Sequence, residues 1–115
     1  MEAIELYYEG VTRLKNKEYE AAILYLIKSD NAEPHFKTRE ALYRCYIGLN
    51  RQEDAFEAIR SAYLLNERSD QTAYEYAEML SSYKGEHTAA KKILTEILCR
   101  NPSYKRAREF LDNIL

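Results

Sequence analysis

The chain has no tryptophan, two prolines (Pro34 and Pro102), three glycines (Gly10, Gly48 and Gly85) and two cysteines (Cys45 and Cys99). Breakers so sparse, and never clustered, leave no stretch that reads as a linker, and the 115 residues are expected to form one domain. A chain of that size buries roughly two thirds of the surface its unfolded form exposes, so it needs neither a disulfide nor a metal to hold it. Both cysteines lie inside apolar helical patterns, which predicts buried, reduced thiols. No apolar run approaches the ~18 residues of a membrane span. The opening Met1-Glu2-Ala3-Ile4-Glu5 carries acids where a secretory leader carries lysines, so the expectation is a cytoplasmic protein with no membrane partner. No sign of charge dominates either. The 17 Lys and Arg oppose 19 Asp and Glu for a net charge of −2, spread as −3, 0 and +1 over residues 1–35, 36–70 and 71–115. Phosphate binding needs a concentrated basic face, so no nucleic-acid partner is expected.

What the chain does have is tyrosine, 11 of them beside 3 phenylalanines. Tyrosine joins an apolar body to a polar tip and suits half-buried helix seams and contact surfaces alike. Apolar spacing and breakers predict seven helices, roughly 2–16, 19–30, 36–49, 52–65, 70–83, 86–100 and 103–114, and no strand of period two. Short connections make successive helices antiparallel neighbours.

The helices repeat. Laying "YEAAILYLIKSDNAEP" (19–34) over "QEDAFEAIRSAYLLNE" (52–67) and "HTAAKKILTEILCRNP" (87–102) aligns Ala22, Ala55 and Ala90, then Leu26, Ile59 and Leu94, then Ser29, Ala62 and Ile97, at spacings of 33 and 35. Pro34 and Pro102 close the first and third copies, 68 residues apart, with Glu67 in the middle slot. Asn16, Asn50 and Gly85 follow the first helix of each pair and are expected to take the left-handed turn between the two helices. The recurring alanine marks where two antiparallel helices approach most closely.

This pattern resembles the tetratricopeptide repeat (TPR) family. That family's small residue in helix A, early Ala in helix B, bulky apolar residue, small residue and closing Pro correspond here to Gly10, Ala22, Leu26, Ser29 and Pro34. The second copy offers Tyr43, Tyr46, Ala55, Ile59, Ala62 and Glu67, and the third Ala90, Leu94, Ile97 and Pro102. Arg13 stands where the first unit's aromatic belongs, Tyr43 replaces a small residue, and helix A of the third unit fits with a one-residue slip. The resemblance implies an all-α solenoid of three antiparallel helix-turn-helix units, about 3–35, 36–69 and 70–102. A terminal helix over 103–114 then seals the stack with a stripe of Tyr104, Ala107, Leu111 and Ile114.

No catalytic chemistry is legible, and an enzyme is not expected. His35 and His87 fall in turns of different units, and neither has a cysteine at metal-ligand spacing. There is no phosphate loop, G-x-S-x-G or HExxH, and no cofactor or metal is expected. Acid pairs such as Glu53/Asp54 sit at helix starts, where they complement the helix dipole. Lys91-Lys92 and Lys105-Arg106-Arg108 read as solvated faces.

The family resemblance does imply a binding surface along the inner wall built by the A helices. In this register the wall carries Tyr7, Val11, Leu14, Glu40, Arg44, Ile47, Thr72, Glu75, Met79 and Tyr83, with Arg44, Met79 and Tyr83 the foremost candidates. TPR domains that clamp a chaperone's C-terminal carboxylate place Lys, Asn and Arg at five positions. Here those positions hold Tyr7, Val11, Ala41, Thr72 and Tyr76, so no carboxylate clamp is expected. The expectation is a protein- or peptide-binding scaffold or adaptor. The second reading is a self-association module or part of a larger assembly, motivated by "AAILYLI" and the Ile4/Tyr7/Tyr8/Val11/Leu14 stripe of a first unit that lacks an N-terminal cap.

Overall fold

A computed structural model of the protein describes residues 1–114. Its seven helices are α1 (Ala3–Lys15), α2 (Tyr19–Ala32), α3 (Phe36–Gly48), α4 (Gln52–Leu65), α5 (Asp70–Ser82), α6 (His87–Arg100) and α7 (Lys105–Ile114). Each boundary falls within two residues of its predicted place. The chain forms two compact units, Met1–Leu65 holding α1 to α4 and the remainder, from Asn66 onward, holding α5 to α7.

In the first unit α1 pairs with α2, α3 pairs with α4, and α2 packs on α3. The pairing of α1 with α2 depends on small side chains. A Cβ added at Gly10 would lie 2.6 Å from Cγ of Leu26 and 3.4 Å from the Ala22 carbonyl oxygen, so the backbones meet there with no room to spare. Around this contact Ala22, Ile23, Leu26, Ala41, Leu42 and Cys45 form a buried cluster, against which Tyr7, Val11, Leu14, Tyr19 and Tyr46 pack part-buried. Ser29 Oγ donates to the Ala3 carbonyl at 2.7 Å, and Arg39 Nε meets Asp30 Oδ1 at 3.0 Å across the α2–α3 seam.

In the second unit α5 pairs with α6, and α7 packs on both. Tyr74 of α5 anchors that contact, with the Tyr104 and Phe110 rings each 6.2 Å away and the Arg106 guanidinium 4.5 Å over its face. Arg100 Nη2 reaches Asp70 Oδ1 at 2.9 Å, tying the end of α6 to the start of α5.

The repeat register holds residue by residue. Ala22, Ala55 and Ala90 are fully buried, as are Leu26, Ile59 and Leu94, and Ser29, Ala62 and Ile97 are buried below them. Two local expectations are corrected. Between α1 and α2 the left-handed residue is Lys17 (φ 61°) and Asn16 keeps φ −86°, while Asn50 (φ 57°) and Gly85 (φ 70°) take the left-handed turn as expected. Asn16 instead ends α1, its N–H bonding back to Thr12 and Arg13. Cys45 is buried but Cys99 is exposed, because it sits off the Ala90/Leu94/Ile97 stripe that faces the core of its unit.

Candidate functional site

Two A helices of the first unit, α1 and α3, bring several of the predicted residues together. Tyr7 and Val11 project from α1 and are part-buried against the core. Glu40 and Arg44, one turn apart on α3, form an ion pair at 3.3 Å between Glu40 Oε1 and Arg44 Nη2. Burial pushes the Tyr7 phenol up; the Glu40 carboxylate and then the Tyr8 phenol add to the rise, and the Arg44 guanidinium pulls it partly back. The phenol of α1 thus shares one electrostatic neighbourhood with the ion pair of α3. Ile47, one turn further along α3, is exposed.

Beside this surface lies an open pocket of about 620 Å³. Ile4, Tyr7 and Tyr8 of α1 line one wall, and His35, Phe36 and Lys37 at the start of α3 line the other. The Tyr7 and Tyr8 rings meet edge to face at 5.5 Å, and His35 stacks on Phe36 at 4.9 Å. His35 Nδ1 also accepts the Lys37 N–H at 3.1 Å and so caps α3, which gives this turn histidine a structural role. Ile4 and Tyr8 remain 54% and 62% exposed. The stripe along α1 is therefore divided: Ile4 and Tyr8 face outward, whereas Tyr7, Val11 and Leu14 serve the core as well. The pocket was not legible beforehand, because it needs residues 30 apart in sequence, from Tyr8 on α1 to Thr38 on α3, to share one rim.

The second unit treats its predicted residues differently. Thr72, Glu75 and Met79 are buried, and only Tyr83, with Lys84 Nζ 5.1 Å from its ring centre, presents surface. Ser69 Oγ donates to Thr72 Oγ1 at 3.1 Å, which uses Thr72 at the start of α5. The one-residue slip noted for this helix follows from the turn after it: residues 83–86 separate α5 from α6, one more than the three residues, 16–18 and 49–51, of the two earlier helix pairs.

Ser81 Oγ and His87 Nδ1 pair a hydroxyl with a base at 2.7 Å, and the contact joins the end of α5 to the first residue of α6. Ser81 is buried, so the pair acts as a clamp on the turn. Among the described residues, no group of three or more His, Cys, Asp or Glu is placed to hold a metal ion. Among the described residues, no helix is long and apolar enough to cross a membrane.

No family model and no curated protein matches this sequence. Solved structures do match the fold. The first TPR of Spaghetti (RPAP3), bound to the HSP90 peptide SRMEEVD, superposes with a TM-score of 0.83 at 23% identity, covering 98% of this chain and 90% of that one. The second TPR domain of human RPAP3, in complex with the HSP70 peptide SGPTIEEVD, gives 0.82 at 21% identity over 97% and 93%. The Yersinia enterocolitica type III secretion chaperone SycD, in complex with a peptide of the translocator YopD, gives 0.79 at 19% identity over 96% and 89%. With seven helices among the described residues and matches that cover nearly its whole length, the chain has the all-α solenoid fold of a TPR domain, three repeats followed by a capping helix.

Proposed function

We propose that this chain is a non-enzymatic scaffold that binds a protein or peptide segment, with its main contact surface on the α1–α3 face of the first unit. The observation that carries the reading is the open pocket beside the Glu40–Arg44 pair, whose lining is mixed: Ile4, Tyr7, Tyr8 and Phe36 give it apolar and aromatic surface, and Glu33, His35 and Lys37 give it polar and charged groups. Val11 and Ile47 extend the surface, and Tyr83 offers a separate contact on the second unit. Thr72, Glu75 and Met79, being buried, enter this reading only as support for their helix. That neighbours of the same fold hold peptides agrees with it.

The mode of anchoring differs from a carboxylate clamp. Tyr7, Val11, Ala41, Thr72 and Tyr76 supply no cation or amide, and Ala41 and Thr72 are buried, so a terminal carboxylate would lose its hydration without gaining partners. Apolar and aromatic side chains of the ligand supply the affinity instead. The test is selection of binders from a random peptide library against the whole chain, followed by titration of the best peptide. Tyr8→Ala and Arg44→Glu are each expected to weaken it about tenfold, and amidating its C-terminus to change nothing. Equal affinity for wild type and both variants would move the site elsewhere.

A further inference from the structure

The outward face of α2 departs from those of its repeat equivalents. Leu24 and Ile27 are 64% and 40% exposed. The same repeat positions hold Glu57 and Arg60 on α4, and Lys92 and Thr95 on α6, all exposed. A face kept polar in two repeats and apolar in the third points to a local cause. The other faces of α2 are already spoken for: Tyr25 lies under Arg13 of α1, Ser29 bonds to Ala3, and Asp30 pairs with Arg39 of α3.

The charges beside the apolar pair select what covers it. Glu20 and Lys28 stand one helical turn before and one turn after Leu24, both exposed and on the same face. If two such helices pair antiparallel about a two-fold axis at Leu24, each Glu20 meets the other copy's Lys28, and the two Leu24 side chains meet at the axis. A parallel pairing would instead set Glu20 against Glu20 and Lys28 against Lys28. The face is self-complementary in one orientation and self-repelling in the other.

We propose that two copies of this chain associate through α2, antiparallel, with Leu24 and Ile27 at the centre and reciprocal Glu20–Lys28 pairs at the rim. One helix face is smaller than the roughly 800 Å² per partner of a standard interface, so the dimer is weak and forms at high protein concentration. The surface is distinct from the α1–α3 pocket, and the proposal stands whether or not a peptide binds there.

Sedimentation equilibrium of the intact chain over a concentration series tests it. The mass is expected to rise from 13.6 kDa toward twice that value. Leu24→Glu, a change at an exposed site, is expected to hold the mass at the monomer value with unchanged circular dichroism. Glu20→Lys and Lys28→Glu are each expected to weaken the dimer about tenfold, since symmetry turns two attractive contacts into two repulsive ones. The combined Glu20→Lys/Lys28→Glu swap restores it. A mass that stays at the monomer value at every concentration overturns the proposal, as does a dimer indifferent to Leu24→Glu. A swap that fails to restore what the single changes weakened overturns the antiparallel pairing.

Discussion

Cys45 and Cys99 carry the same thiol into opposite surroundings, one closed in the first unit's core and one open on α6. Burial pushes the Cys45 thiol from 9.0 up to about 11, because the thiolate has no water to solvate it. Between those values the unfolded chain has lost the proton that the folded chain keeps. The neutral thiol's contribution is therefore fully present below pH 9.0 and lost as pH rises toward about 11, by on the order of 2 kcal/mol. The fall in urea midpoint across that window should be shallower in Cys45→Ala than in wild type. A thiol reagent at neutral pH should modify Cys99 in the native protein and reach Cys45 only on unfolding. Gly10 makes a second claim at this scale. Gly10→Ala would drive a methyl against Leu26, which is fully buried and has nowhere to move, and a loss of about 1–3 kcal/mol in denaturant unfolding is expected.

Helices and their register were legible because each rests on local signals: Pro34 and Pro102 as stops, apolar spacing, and the recurring Ala22, Ala55 and Ala90 in the second helix of each pair. The failures share a different origin. Asn16 looked a better left-handed residue than Lys17, yet Asn16 serves as the C-cap of α1 with φ −86°, so the left-handed turn falls on the lysine that follows. Cys99 ends an apolar run whose inward face has already turned away. The register of α5 was blurred because the turn after it, residues 83–86, is one residue longer than those after α1 and α3, so a fixed repeat spacing lands one position off along α5. Polar ties between elements are testable one at a time. Asp70 opens α5, where a negative charge favours the helix dipole, and it also receives Nε and Nη2 of Arg100 at 3.2 and 2.9 Å. Asp70→Asn keeps the volume and removes the charge. It should cost about 1 kcal/mol in thermal unfolding at low salt, with the difference shrinking at high salt.

At the scale of the whole molecule, the division after Leu65 bears on how the chain opens. Repeat proteins gain stability from each unit and from contacts with its immediate neighbours, so damage to one hairpin is felt first where it lies. Leu26, Ile59 and Leu94 occupy the same repeat position, and each is fully buried. Leu94→Ala removes the same side chain as Leu26→Ala but from the second unit, at a cost of about 2–5 kcal/mol in either place. If the two units open separately, amide exchange in Leu94→Ala should quicken through α5, α6 and α7 and leave α1 to α4 nearly as protected as in wild type. Leu26→Ala should show the reverse pattern. Were either change to quicken exchange evenly across all seven helices, the chain would open as one cooperative body, and a ligand held by the first unit would stabilise the second equally.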